Sequence, residues 1–189
     1  RGCGKRISIK YSLIEMLNSL LYVLIYCNYG NSIDSLKGFL LSSLLIVIAG
    51  IDLKTHYIYK STTIFGIGAF VFIEIIDLLI SWQIPWENLL AGALGVIVIG
   101  VIVVFTGGMG EGDIEIALII GLFLGIKGLM LALFIAFILG GIIASIFLIL
   151  KFKERKAEIA FGPYLAMGAI ISLLYSTEII NWYISLMKI

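Results

Sequence analysis

The stretch Gly107–Asp113 reads Gly-Gly-Met-Gly-Glu-Gly-Asp and interrupts an otherwise apolar chain. The preceding stretch, Leu89–Thr106, has no charged residue, and the stretch that follows is apolar again apart from Glu115. A carboxylate at the mouth of a membrane helix is costly to keep there, which makes Asp113 a candidate functional residue. The alternative is a simple turn between two helices in which Asp113 caps the second helix.

The composition is that of a polytopic membrane protein. Of the 189 residues, 61% are hydrophobic and 13% are charged, whereas soluble domains are roughly half apolar and about a quarter charged. The formal net charge is +1, whereas a protein that binds nucleic acid is typically strongly basic. We therefore expect an all-α helix bundle embedded in a lipid bilayer, with no nucleic-acid partner.

Hydrophobic runs separated by polar breaks predict about seven transmembrane segments. They cover residues 11–29, 36–52, 62–81, 88–106, 113–126, 128–150 and 161–184. The fifth is short, because about 14 residues of helix extend roughly 21 Å, less than the roughly 30 Å of a hydrocarbon core. We expect Asp113 to lie below the headgroups, in a cavity or against protein.

The distribution of Lys and Arg predicts the orientation of these segments. Ten of the 13 basic residues fall on one side of the seven-segment arrangement and three on the other. By the positive-inside rule the richer side is cytoplasmic, so the N-terminus and the Gly107–Asp113 loop are predicted to face the cytoplasm. Asp52, at the end of the second segment, falls on the same side. A bundle that places segments two and five side by side would bring Asp52 and Asp113 together.

Two neighbouring carboxylates can activate a water molecule by general acid–base catalysis. One carboxylate takes a proton from the water while the other, protonated, polarises the carbonyl under attack. Close like charges resist ionising together, so such a pair tends to hold one proton. The single histidine, His56, has no placed nucleophile, and with Cys3 and Cys27 it forms no recognisable metal site. We therefore expect neither a metal nor a cofactor.

Four segments, in order along the chain, resemble the bacterial type IV prepilin peptidases, a branch of the Gly-x-Gly-Asp membrane aspartyl proteases. Gly110–Asp113 is similar to the motif that names these proteases, and Ile51–Ile58 resembles the segment that carries their first aspartate. Phe161–Gly168 resembles their Phe-Gly-Pro segment, and Cys3–Glu15 resembles the junction before their peptidase helices. The four matches cover nearly the whole chain.

The resemblance implies a membrane aspartic endopeptidase that removes the short basic leader from type IV prepilins or pseudopilins. Cutting would follow a glycine, at the cytoplasmic face of the bacterial inner membrane, with Asp52 and Asp113 as the catalytic pair. Residues of the glycine-rich motif, of the following helix and of the Phe-Gly-Pro segment are expected to receive the substrate: Gly110, Glu111, Gly112, Glu115, Gly162 and Pro163.

The two glutamates have a second interpretation as solvated acids near a helix start, where the helix dipole favours negative charge. Glu115 also departs from the pattern, because the family often has a lysine there. Tyr59 is a second departure, since the family often has Ile-Pro where this chain has Ile58-Tyr59. Both departures are expected to affect substrate preference and not the catalytic pair.

Many members of the family carry two Cys-x-x-Cys pairs in a cytoplasmic region linked to methylation of the new N-terminus. Only Cys3 corresponds to that region here, and the chain begins with Arg1. We therefore expect residues 1–189 to form a single membrane peptidase domain of a longer or processed protein. We expect neither zinc binding nor N-methyltransferase activity from this chain.

Two other functions stay open. A proton-coupled small transporter would use paired membrane acids, but such carriers favour acids near the midplane and inverted repeats, and neither is seen in this sequence. A Gly-x-Gly-Asp protease that cuts within transmembrane helices would differ in where its scissile bond lies. The sequence leaves open which pilins are substrates, whether they serve pili, secretion or DNA uptake, the oligomeric state, and the separation of the two aspartates.

Overall fold

The computed structural model describes residues 9–107, 109–150 and 160–187, without the side chains of residues 147 and 148. This part of the chain forms six helices and no strand: α1 Ile9–Tyr29, α2 Ile33–Thr55, α3 Lys60–Ser81, α4 Trp86–Thr106, α5 Glu111–Ile149 and α6 Gly162–Met187. All six are long and apolar enough to cross a membrane. The all-α membrane bundle predicted from composition is confirmed.

Helix α5 is broken at Gly125, which has φ 67° and ψ −176°, a conformation that glycine adopts readily. Before the break, Ile116 lies beside Gly162 at the start of α6, and after the break Gly140 lies beside Tyr164 in the same turn of α6. Because both halves of α5 reach the same level of α6, the chain doubles back at Gly125. The two halves correspond to the fifth and sixth predicted segments.

The break at Gly125 also removes helical hydrogen bonds, which must be replaced inside a bilayer. Asn88, in the first turn of α4, donates its side-chain amide to the Leu122 carbonyl at 2.6 Å. Helix α6 has a similar break at Tyr175, and there Asn28 donates to the Leu174 carbonyl at 2.9 Å. These amides satisfy carbonyls beside each break, so both breaks are tolerated at membrane depth.

Small residues let α4 and the first half of α5 approach backbone to backbone. A Cβ placed on Gly95 would lie 2.5 Å from the Ala117 carbonyl oxygen, and one on Gly121 would collide with the Ala91 carbonyl. Such close approach is the usual means of helix association in lipid, where no hydrophobic drive acts between helices. Gly95 of α4 and Gly121 of α5 therefore allow the two helices to pack closely, which holds the first half of α5 in place.

The short connections between α1 and α5 make these successive helices run in opposite directions, and the reversal at Gly125 returns the second half of α5 to the end where α6 begins. One end of the bundle therefore contains the last turns of α2 and α4 and the first turns of α3, α5 and α6. We call it the aspartate end, because it carries Asp52 and Asp113. The opposite end carries Trp82, Trp86 and Trp182, all exposed, an arrangement typical of the aromatic belt at a membrane–water interface.

An ion-pair cluster joins α2 to α3 in the half of the bundle farther from the aspartates. The Lys37 ammonium lies 2.6 Å from Glu74 and 3.6 Å from Asp77. The side chain of Asp77 is 30% exposed, so it contacts both this cation and the surroundings of the bundle. The side chain of Glu74 is 10% exposed and makes an internal contact. The cluster ties α2, which carries Asp52, to α3.

Replacing Lys37 by Met is expected to lower the free energy of unfolding by about 3 kcal/mol, because the buried Glu74 carboxylate loses the one cation that pairs with it among the described residues. The measurement is unfolding of the detergent-solubilised protein, followed by circular dichroism. Lys127→Met is the matched control, since Lys127 is exposed. Equal stability of the two variants would mean that the Lys37 cluster contributes nothing to the fold.

Candidate active site

Asp52 lies in the last turn of α2 and is buried, with 5% of its surface exposed. Helix α2 ends just beyond it, because His56 adopts a left-handed conformation and donates its N–H to the Asp52 carbonyl at 2.9 Å. The carboxylate oxygen Oδ2 of Asp52 accepts the backbone N–H of Gly162 at 3.0 Å. Gly162 is the first residue of α6, so the N-terminus of α6 points at this carboxylate.

Asp113 is the third residue of α5 and is also buried, with 4% exposed. Its Oδ2 accepts the N–H of Gly110 at 3.1 Å, and its own N–H donates to the Gly110 carbonyl at 3.1 Å. The side chain thus reaches back to the residue before the helix, as the third residue of a capping box does. Asp113 closes the helix start and at the same time presents a buried carboxylate, so the two interpretations of the motif are compatible.

The two aspartates lie in one site, between α2, α5 and α6. A Cβ placed on Gly162 would lie 2.6 Å from Asp52 Oδ2 and 3.1 Å from Ile116 Cδ1, and Ile116 follows Asp113 by one helical turn. Asp52 and the helical turn that follows Asp113 therefore both pack against Gly162. Each carboxylate receives one backbone N–H on Oδ2, which leaves its Oδ1 without a partner among the described residues.

Gly112 lies under the connection between α2 and α3 and not against open space. A Cβ on Gly112 would lie 2.7 Å from Ile58 Cδ1 and 2.9 Å from Ile58 Cβ. Gly110, in contrast, is exposed and has nothing closer than 3.9 Å to its missing side chain. Of the two motif glycines, only Gly110 offers an open backbone surface in this structure.

Glu115 has a specific partner that the sequence does not indicate. Its Oε2 accepts the hydroxyl of Thr63 at 2.5 Å, and Thr63, in the first turn of α3, is buried. Glu111, the other acid expected to receive the substrate, is exposed at the start of α5. Thr63 lies 52 positions from Glu115 in sequence, so no local pattern could have revealed the pair.

The Phe-Gly-Pro segment contacts Asp52 through the backbone N–H of Gly162. Gly162 and Pro163 are buried. The ring centroid of Phe161 lies 5.4 Å from that of Phe137 in the second half of α5, with the two rings tilted by 37°. In this structure the segment contacts the carboxylate, and its expected contact with substrate stays a prediction. His56 is exposed and its observed role is to end α2. No group of three metal-binding side chains occurs among residues 9–107, 109–150 and 160–187, and Cys3 lies outside them.

Comparison with known proteins shows what kind of protein carries this site. A model of the type IV leader peptidase family matches residues 39–145, which include both aspartates and the Gly-x-Gly-Asp motif. The chain belongs to the type IV leader peptidase family. It is therefore a membrane-embedded member of a peptidase family, as the four sequence segments indicate.

Curated relatives extend this similarity along nearly the whole chain. A prepilin leader peptidase/N-methyltransferase of Bacillus subtilis is 30% identical over 98% of this chain and 74% of its own length. Proteins of the same name from Xanthomonas campestris and Neisseria gonorrhoeae are each 28% identical, over 97% of this chain and 65% of their own length. The chain thus spans about two thirds to three quarters of these leader peptidases. No solved structure matches it.

Proposed function

We propose that this chain is an aspartic endopeptidase that removes the leader from type IV prepilins or pseudopilins, cutting after a glycine. One observation carries the proposal: two buried aspartates lie at the same end of the bundle, and each accepts one backbone N–H. The family match includes both aspartates. The named relatives are prepilin leader peptidases, which supports the choice of substrate.

The reaction uses the two carboxylates as a base and an acid. The ionised one takes a proton from water as the water oxygen bonds to the carbonyl carbon, while the protonated one gives its proton to the carbonyl oxygen. In the second step the carboxyl that took the proton from water gives it to the leaving nitrogen. The other carboxylate takes a proton from a hydroxyl of the tetrahedral intermediate, and the C–N bond breaks. Both groups thereby return to their starting protonation states. The Oδ1 atoms of Asp52 and Asp113 are available for these proton transfers, because neither has a hydrogen-bond partner among the described residues.

Buried, preorganised carboxylates suit this chemistry because they need no rearrangement when charge develops. The N–H of Gly162 orients Asp52, and the N–H of Gly110 orients Asp113. The site itself requires no metal or cofactor for the reaction described. A transporter is less favoured, because both acids lie at one end of the bundle and transporter sites usually lie near the midplane.

Glu111 and Glu115 are proposed to receive the basic leader. They stand on the same helix as Asp113. Among the described residues neither lies within ion-pair distance of a lysine or arginine, because the ion pairs found there join Lys37 to Glu74 and Asp77. The Thr63 hydroxyl holds Glu115 in one position. A held acid near the catalytic pair can fix the register of a basic peptide, because charged partners give orientation more than affinity.

The site is proposed to open to the cytoplasm from the bacterial inner membrane. The support is the excess of Lys and Arg that the sequence places at the aspartate end, which the positive-inside rule makes cytoplasmic. The bilayer is then a second partner of the protein, beside the prepilin itself.

The test is cleavage of candidate prepilins from the same genome, co-expressed with this chain, with the new N-terminus read by mass spectrometry. We expect a cut directly after the glycine of a leader junction. A cut inside the apolar segment would indicate a protease acting within transmembrane helices. Proton flux in proteoliposomes without any cleavage would indicate a transporter and overturn the proposal.

The same substrate tests the orientation. A peptide spanning the leader junction is expected to be cut by inverted membrane vesicles and to be spared by right-side-out vesicles until these are permeabilised. The opposite result would place the aspartate end on the outer side of the membrane.

A further inference from the structure

Ile58 is the one buried residue in the connection between α2 and α3. It is 8% exposed, whereas its neighbours Tyr57 and Tyr59 are 56% and 48% exposed. Ile58 belongs to the main hydrophobic core of the bundle, together with Ile48 of α2 and Ile116 of α5. An apolar side chain driven into the core in this way anchors the connection, which is otherwise open to solvent.

The path from Asp52 to Ile58 is held by a series of short-range contacts. His56 turns the chain with φ 51° and donates its N–H to the Asp52 carbonyl. The Thr55 hydroxyl oxygen accepts the Tyr57 N–H at 3.3 Å, and its one proton is shared between the Ile51 carbonyl at 3.0 Å and the Tyr57 carbonyl at 3.1 Å. The position of Ile58 relative to Asp52 is therefore determined by the backbone of this connection.

At its other side Ile58 lies on Gly112, the residue before Asp113. A Cβ on Gly112 would lie within 2.7 to 3.0 Å of three atoms of Ile58, namely Cδ1, Cβ and Cγ1. Contacts below about 3 Å between carbon atoms are repulsive, so the pair fits only because Gly112 has no side chain. The contact joins the segment that carries Asp52 to the helix start that carries Asp113.

We propose that Ile58 is a positioning residue which, seated on Gly112, sets the separation of Asp52 and Asp113. The inference rests on the proposed endopeptidase function and assigns a new role to both residues. Gly112 then serves to seat Ile58, and the open approach surface for substrate is limited to Gly110. A small displacement of one carboxylate is enough to disturb catalysis, because a shift of about 1 Å costs on the order of 100-fold in rate.

The test is a size-exchange experiment on prepilin cleavage in detergent, with rates normalised to folded enzyme measured by gel filtration. Gly112→Ala is expected to lower kcat on the order of 100-fold, with KM changed less than about twofold, because the new methyl group displaces Ile58 and not the substrate. Ile58→Ala removes Cδ1 and Cγ1, two of the three crowding atoms. The double variant is therefore expected to recover at least about tenfold in kcat over Gly112→Ala, since the two changes share one contact.

The pH–rate profile separates positioning from simple loss of folded protein. Its width reports the interaction between the two carboxylates, so Gly112→Ala is expected to change the width and the double variant to restore it. Misfolding would lower the height of the profile and leave the width unchanged. Matched controls are Gly68→Ala, where a Cβ meets nothing within 4 Å, and Ile64→Ala, at an exposed isoleucine.

Three results would overturn the proposal while leaving the proposed function intact. They are a Gly112→Ala variant with unchanged kcat, one whose KM alone rises, and a double variant that recovers nothing. An unchanged profile width in Gly112→Ala would overturn it as well. An inactive wild-type chain would instead overturn the proposed function, and this proposal with it, so the two failures are distinguishable.

Discussion

Asp52→Asn and Asp113→Asn are each expected to reduce prepilin cleavage by about 10² to 10⁴-fold, the range that a general acid or base contributes. Asparagine keeps the size of aspartate and a carbonyl oxygen that can accept the N–H of Gly162 or Gly110. Each variant should therefore fold and insert, but it lacks a group that can cycle a proton. The measurement is the initial rate of leader removal in membranes, at equal amounts of inserted protein.

Asp34→Asn is the matched control, because Asp34 is an exposed aspartate in the first turn of the same helix as Asp52. It is expected to cleave at the wild-type rate. The double variant Asp52→Asn/Asp113→Asn should be no slower than either single variant, since residues that act as a unit are not additive. Normal cleavage by either single variant would remove that aspartate from the catalytic pair.

Gly162→Ala is expected to reduce kcat on the order of 100-fold although both aspartates remain, because it displaces one of them. The added methyl group would lie 2.6 Å from Asp52 Oδ2 and 3.1 Å from the side chain of Ile116. It cannot fit unless the carboxylate or the start of α6 moves, and either movement weakens the hydrogen bond from the Gly162 N–H. Steady-state kinetics on a prepilin substrate measure the loss.

Gly141→Ala is the control for this change, because it adds the same methyl group to a helix position with nothing within 4 Å. It should retain wild-type kcat and wild-type stability. Should Gly162→Ala keep more than half of the wild-type kcat, the N-terminus of α6 would have no part in orienting Asp52. Should only KM rise, Gly162 would contact substrate directly, as the sequence comparison implies.

The membrane fold was largely predictable from local sequence. Hydrophobicity accumulates along the chain, so a run of apolar residues long enough to cross a bilayer identifies a helix without knowledge of its neighbours. The division of α5 was also predictable, because the polar residue Lys127 interrupts the apolar run next to the break, and Gly121 and Gly128 lie on either side of Gly125. Seven predicted segments correspond to six helices because α5, although broken at Gly125, is counted as one helix and contains the fifth and sixth segments.

The candidate pair was also predictable, for a different reason. A carboxylate at the end of an apolar segment is unusual, so Asp52 and Asp113 can each be recognised without knowledge of the other. The alternating direction of the membrane segments then places both at one end of the bundle. The groups that support the pair are not unusual singly. Ile58 and Thr63 look in sequence like ordinary loop and helix residues, and the resemblance that singles out Gly162 implies a contact with substrate and not one with Asp52.

What the sequence by itself determined is therefore the membrane bundle, its segments and the two aspartates. Only the tertiary structure decided that the Gly162 N–H faces Asp52, that Ile58 lies on Gly112, and that Thr63 bonds to Glu115. Each of these contacts joins residues 52 to 110 positions apart in the chain. They depend on how whole helices pack, to within a few tenths of an ångström. Such contacts between distant residues produce no periodic pattern in the sequence from which they could be predicted.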